Sequence, residues 1–272
     1  QDAPVGESFA AWARLDDPVI EIAITPNRAD CLGVRGVARD LAAAGYGTLK
    51  PLDTSAHEGS FDSPVTWRLD LDGAEHLAPL ITGIAFRGVT NGPCPDWMAR
   101  RLEAIGQRPI SALVDITNYV MFDLGRPLHA YDIDRIHGSE LIVRQADGGE
   151  PFAALNEKTY EMEAGMITIG DAEGVDDLAG VMGGERTGVS DGTTGMFLEI
   201  AVFDPISVAT TGRKLNLNSD ARYRFERGLD SESPVWAAGH IARMVTEICG
   251  GEASVPVTMG PGVDWKRSIF LG

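Results

Sequence analysis

The run Met196-Phe197-Leu198-Glu199-Ile200-Ala201-Val202-Phe203 limits what this chain can fold into more than any other stretch. A strand puts alternate residues on opposite faces, so Leu198, Ile200 and Val202 share one wholly apolar face. Glu199 falls on the other, with Phe197, Ala201 and Phe203. Both faces are too apolar for solvent, so the strand belongs in an interior and carries a carboxylate with it. Burying that group bare would cost several kcal/mol, so it must be paired, hydrogen-bonded or protonated. Two readings stand: an internal ion pair with one of the arginines, or a buried acceptor for a ligand hydroxyl or amine.

Around that strand the punctuation predicts a mixture of helices and strands without regular alternation, which is an α+β pattern rather than a doubly wound sheet. A short apolar strand over Val19–Ile24 is followed by a helix carrying Val34, Val37, Ala38 and Leu41, with Asp30 as its N-cap and Gly45 as its stop. Residues 50–64, rich in Ser, Asp, Gly and Pro, read as a linker. Residues 79–90 form a strand. Asp96 caps a helix bearing Trp97, Met98, Leu102 and Ile105, and a second helix runs from Ser111 to Gly125. Short apolar runs follow at 141–143, 166–169, 178–182 and 196–203, with Gly183-Gly184 as a turn signal. Asp204-Pro205 and Ser233-Pro234 each start a helix, with proline where its missing N–H costs nothing.

No stretch of 18 apolar residues is present, so no helical membrane span is expected. The opening Gln1-Asp2-Ala3-Pro4 has neither a basic nor an apolar targeting region, and the start reads as a cut inside a longer protein. Cys31, Cys94 and Cys249 are an odd number with no C-x-x-C spacing, which argues against disulfides or a zinc knuckle and for a reducing, cytoplasmic location.

The net charge of −17, from 23 basic and 40 acidic residues, disfavours autonomous binding to a nucleic-acid backbone. The charge is uneven. Residues 147–205 carry 13 acids and 2 bases, whereas residues 213–227 carry five bases, Arg213, Lys214, Arg222, Arg224 and Arg227, against two acids. That basic island could grip a few phosphates or could be a solvated helix end.

Besides Glu199, two placements break local rules. Thr117 and Asn118 sit in the apolar segment Leu113–Phe122, where they could bond helix carbonyls or orient a substrate. His129, in Gly125-Arg-Pro-Leu-His-Ala-Tyr-Asp132, could be structural or functional. His129, His137 and Asp132 lack a metal-ligand spacing. There is no nucleophile elbow and no phosphate loop, so nucleotide hydrolysis is disfavoured.

Five blocks in order carry a resemblance. These are Thr25-Pro-Asn-Arg-Ala-Asp through Leu41, Asp115-Ile-Thr-Asn-Tyr-Val120, Gly125–Asp132, Ala179-Gly-Val-Met-Gly-Gly-Glu185, and Ser219-Asp-Ala-Arg-Tyr-Arg-Phe-Glu-Arg-Gly-Leu-Asp230. Together the chain resembles the beta subunit of bacterial phenylalanyl-tRNA synthetase. The resemblance implies the end of a small α+β N-terminal module over 1–60, a mixed-sheet editing module over 61–258, and a linker over 259–272 that stops as the next module begins near Trp265.

It also implies an activity: hydrolysis of tyrosine wrongly attached to tRNA(Phe). Carried over by motif, Glu199 would recognise the phenol, Ala221 would leave room for the ring, and Ser219, Gly183 and Gly184 would complete the tyrosine pocket. His129, Thr117 and Asn118 would line the ester and adenosine end, with backbone N–H groups near Gly183-Gly184 and His129 polarising a water attack. Arg213, Lys214 and Arg222 are candidate tRNA contacts. No cofactor or metal is implied for editing, whereas ATP and magnesium are implied for the complete enzyme, together with an alpha subunit, two alpha and two beta chains in all. A non-hydrolytic tRNA-docking or subunit-assembly module is the competing expectation.

Overall fold

The computed structural model describes residues 3–13, 15–16, 18–266 and 268–270. Gln1 and Asp2, part of the opening read above, lie outside them.

Helices α1 (Phe9–Trp12) and α2 (Val34–Ala43) come first, then strands β1 (Thr66–Asp70) and β2 (Leu80–Arg87). Helices α3 (Asp96–Ala104) and α4 (Ala112–Leu124) lead into β3 (His129–Asp132) and β4 (Glu140–Gln145). A hairpin of β5 (Pro151–Ala154) and β6 (Lys158–Glu161) precedes β7 (Ile167–Asp171), β8 (Gly174–Leu178), β9 (Met182–Gly183) and β10 (Gly195–Val202). Helices α5 (Pro205–Lys214), α6 (Asp220–Phe225) and α7 (Ser233–Cys249) follow, with β11 (Glu252–Ala253) and β12 (Val257–Met259) closing the order.

The expected α+β class is what the chain adopts, with mixed sheets. One sheet runs β1-β4-β7-β8-β9, its β1–β4 pair parallel and the others antiparallel. The other runs β11-β2-β10-β3, and β12 also pairs with β2.

β10 lies between the two cores of the molecule. Phe197 and Ala201 pack toward the first sheet among Trp67, Tyr131, Leu141 and Ile169. Met196, Leu198 and Ile200 pack the other way, against Leu113 and Ile116 of α4 and Ile241 and Val245 of α7. The alternation in the run thus becomes a three-layer stack of helices, sheet and sheet. Each fully buried large apolar side chain contributes about 1.5–3 kcal/mol of transfer free energy. Glu199 stands opposite Gly83 of β2. A Cβ at Gly83 would overlap the Phe197 ring, which leans across that gap onto Trp67, centroids 5.1 Å apart.

The helix signals translate closely. Ser111 precedes α4, and Gly125 ends it at φ 70° in the left-handed region. Asp204 caps α5, accepting from Ser207 N at 2.7 Å. Four local readings need correction. Val19–Ile24 forms no strand: it makes no ladder among the described residues, and Val19, Ile20 and Ile22 are exposed. Asp30 does not cap α2, whose N-cap is Gly33, because its carboxylate is taken by Arg28 and Arg39. Asp96 is the first residue of α3 rather than its cap, which is Pro95. Gly183-Gly184 is no turn; the chain reverses at Ala179-Gly180 instead. Residues 50–64 form no helix or strand, yet they are tied to α7, where Arg243 donates to the carbonyls of Asp53 and Ser55.

Candidate active site

β3 and β10 run antiparallel with His129 opposite Glu199 and Tyr131 opposite Phe197. All four side chains therefore leave the same face, the one turned toward the β1–β9 sheet. Tyr131 Oη donates to Glu199 Oε2 at 3.0 Å, and the His129 and Tyr131 rings meet edge to face with centroids 4.4 Å apart. From the opposing sheet, Asp177 of β8 brings Oδ2 to 3.7 Å from His129 Nδ1.

Of these, His129, Glu199 and Asp177 line a cleft of about 610 Å³. That is the size of a small-molecule site. Val114, Thr117, Asn118 and Met121, one face of α4 at helical spacing, form a second wall. Met182 and Gly183 of β9 with Ser219, Asp220 and Ala221 at the start of α6 form a third.

Charge is handled unusually here. Glu199 is 5% exposed, and the ion pairs of the described residues include none to it. Burial pushes its carboxyl from an ordinary 4.5 up to about 7, opposed by the Tyr131 hydrogen bond and by the field of Arg126. Arg126 itself is 2% exposed and donates to Ser233 Oγ at 2.7 Å and to the Ala201 carbonyl. The internal ion pair is thus replaced by one phenol partner and a distant cation. Glu199's second oxygen has no donor among the described residues.

Burial drives His129 down to about 4, so its imidazole is neutral at pH 7, and Nε2 has no partner among the described residues. Burial, Glu199 and Asp176 together hold the Asp177 carboxyl well above the usual range. Both shifts disfavour charge where His129 and Asp177 approach to 3.7 Å. Asp176 faces away from the cleft, to Thr187 Oγ1 and Arg186.

A sequence profile described as "B3/4 domain" matches residues 77–250. The chain belongs to the B3/4 domain family. It is 51% identical over all 272 residues to the phenylalanine–tRNA ligase beta subunit of Gluconobacter oxydans, and 51% identical over 96% of its length to that of Brucella abortus. In both cases it spans 32% of the curated relative. A crystal structure of an N-terminal fragment of the phenylalanyl-tRNA synthetase beta subunit from Pyrococcus horikoshii aligns with a TM-score of 0.39 at 17% identity, covering 77% of this chain and 69% of that one.

In this B3/4 domain the residues singled out from sequence divide into two groups. Thr117, Asn118, His129, Gly183, Glu199, Ser219 and Ala221 all line the cleft. Thr117 Oγ1 donates to the Val114 carbonyl at 2.7 Å, whereas the Asn118 amide has no partner among the described residues. Ser219 Oγ donates to the Val181 carbonyl at 2.5 Å and accepts from Arg222 N at 3.0 Å, so it caps α6 and fixes that wall. A Cβ at Gly183 would overlap the His129 ring. Glycine there is what lets the imidazole seat.

Gly184 is not on the cleft wall. Its N–H donates to the Asp176 carbonyl at 2.7 Å, so it is spent within the sheet and is no oxyanion donor. Arg222 is also displaced from its expected role: it is 9% exposed, with its guanidinium on Glu226, Asn218 and the Leu217 carbonyl. Arg213 and Lys214 are exposed at the end of α5, and Lys214 reaches Glu163 at 2.5 Å.

Two polar residues of the cleft region escaped the sequence reading. Tyr131 lies within a quoted motif but reads as core. Asp177 had a usable signal: in Val175-Asp176-Asp177-Leu178, alternation sends adjacent acids to opposite faces, so burial of either face takes one with it. Among the described residues Asp30, Cys31 and Asp40 form a cluster with metal-type donors, but Arg28 bonds all three.

Proposed function

We propose that the cleft is an editing site that hydrolyses the ester of tyrosine misattached to tRNA(Phe), within a phenylalanine–tRNA ligase. The observation that carries the reading is Glu199: a buried carboxyl on the cleft wall with one protein donor and one oxygen left over. Tyrosine and phenylalanine differ by one hydroxyl. A site that must tell them apart in favour of tyrosine needs a polar group that only the hydroxyl satisfies. A phenylalanine ring against Glu199 would leave that oxygen dry, at about 1–3 kcal/mol or more. Ala221, small and on the same cleft, leaves width for the ring.

An aminoacyl ester is already activated, so the hydrolysis needs a placed water and a donor for the developing oxyanion rather than a protein nucleophile. His129, with its pKa pushed to about 4, is too weak a base to take the water's proton outright at neutral pH. It serves as a hydrogen-bonding group that orients the water or the ester. The unpartnered Asn118 amide is the second donor; Thr117 and Ser219, whose hydroxyls are bonded to carbonyls, hold the walls. No cofactor enters this reaction. ATP and magnesium belong to the synthetic reaction of the complete enzyme, which would pair this beta chain with an alpha subunit, two of each, and use Arg213 or Lys214 among its tRNA contacts.

The test is deacylation of Tyr-tRNA(Phe) and Phe-tRNA(Phe) by the complete ligase and its Glu199→Ala variant. Preferential loss of the tyrosyl ester with wild type, abolished in the variant, is the expected result. A ligase that leaves both esters intact would sink the proposal.

A further inference from the structure

The mechanism above leaves one buried acid on the cleft without a task. Asp177 is 4% exposed, lines the cleft, and has no hydrogen-bond partner among the described residues. The nearest polar atom recorded for it is His129 Nδ1, 3.7 Å from Oδ2. That separation is slightly long for a hydrogen bond, as such contacts often are before a ligand tightens them. On the far edge of the same ring, Nε2 is buried and unpartnered.

Among the described residues no cation pairs with Asp177. From its own strand Asp176 adds negative charge, and Arg186 turns its Nη2 to Asp171 and Asp176. From β10 it faces Glu199, whose field is among the causes that raise the Asp177 carboxyl well above the usual range. From β3 it faces Tyr131 and His129, both neutral at pH 7. Arg126 sits beyond Glu199 with its donors on Ser233 and Ala201. Two buried carboxyls on one cleft wall repel each other's charge, which favours a proton held between them.

We propose that Asp177 is a positioning residue that sets the tautomer of His129: its carboxyl, as the acid, donates to Nδ1 and thereby leaves the hydrogen on Nε2. A neutral imidazole carries one hydrogen, and the partner of one nitrogen decides which nitrogen keeps it. Were Asp177 ionised, Nδ1–H would donate to it and Nε2 would become an acceptor. The protonation of Asp177 thus determines whether His129 offers the substrate a donor, suited to an ester oxygen, or an acceptor.

This assignment deepens the editing reading but is tested separately from it. Imidazole nitrogen shifts of ¹⁵N-histidine-labelled chain, with His129 assigned through His129→Gln, report the tautomer whether or not any ester is cleaved. The expected result at pH 7 is Nε2–H in wild type and in Asp177→Asn, whose amide also donates to Nδ1, with a mixture of tautomers in Asp177→Ala. Nδ1–H in wild type, or a tautomer unchanged in Asp177→Ala, overturns the proposal. In the ligase, hydrolysis by Asp177→Ala should fall at least about tenfold and recover in Asp177→Asn. The pH profile carries the distinction from a merely structural role: wild-type activity declines as Asp177 ionises at high pH, and Asp177→Asn shows no such decline. Parallel profiles refute it. If wild type cleaves neither ester, the editing reading fails while the nitrogen shifts still decide the tautomer.

Discussion

Glu199→Gln separates the cost of the buried carboxylate from its use. Glutamine matches the shape, and its amide oxygen can still accept from Tyr131. Raising a carboxyl from 4.5 to about 7 favours its protonated form in the fold by about 3 kcal/mol. Because the folded pKa lies above the unfolded one, the folded chain keeps a proton between those values that the unfolded chain has released. The stabilisation from this group is full below pH 4.5 and is lost as the pH rises through about 7. At pH 5 both folded proteins hold a neutral group there, and their unfolding free energies should agree within about 1 kcal/mol. At pH 8.5 the wild type holds a charge at position 199 and the variant does not, so the variant should be the more stable. Asp177 reduces the gap, because without a charged neighbour it takes over part of the titration. Urea unfolding followed by tryptophan fluorescence at pH 5, 6, 7 and 8.5 gives both curves. Curves that stay parallel from pH 5 to 8.5 would show that Glu199 is solvated or paired, and the argument for a dry tyrosine sensor would fail with it.

The same site yields three further expectations. The ratio of tyrosyl to phenylalanyl ester hydrolysis should rise between pH 6 and 8 as Glu199 ionises and becomes an acceptor for the phenol; a flat ratio over that range contradicts this. Gly183→Ala must displace the His129 ring, so it should destabilise the chain by about 1–3 kcal/mol and abolish most hydrolysis, and an unchanged melting temperature and rate would show that the close approach is not needed. Ala221→Trp projects from a half-buried position into the cleft, so stability should hold within about 1 kcal/mol while tyrosyl ester turnover drops at least about tenfold; full turnover would place the ring elsewhere.

What could be read from sequence was local. Proline at helix starts, glycine at helix ends and the alternation in Met196–Phe203 each report a preference of a few neighbouring residues, and α4, α5, α7 and β10 formed where those preferences pointed. The α+β class followed from their order. The pairings did not, because β1 and β4 join in parallel across some seventy residues with no turn to announce it. Val19–Ile24 shows the converse error: apolar alternation makes a segment fit for a ladder but supplies no partner. Gly183 and Gly184 show that glycine is ambiguous in sequence, since a turn and a close approach of another group both require the missing Cβ. Here His129 fills one gap and the backbone of β8 the other.

The candidate site was legible for the same reason that it is costly. Glu199 stood out because an apolar strand gives a carboxylate no local reason to be there, so the reason had to be nonlocal. Asp177 obeys that logic but was masked by Asp176 beside it: a pair of acids looks like a solvated edge, and only the second sheet shows that one turns outward to Arg186 and the other inward to His129. An ordinary core would have replaced both inward acids by apolar groups of like size, gaining stability at no loss of packing. Their retention opposite a neutral histidine, in a cleft wide enough for an aromatic ring, is what the tyrosine-recognition reading explains and what a purely structural one does not.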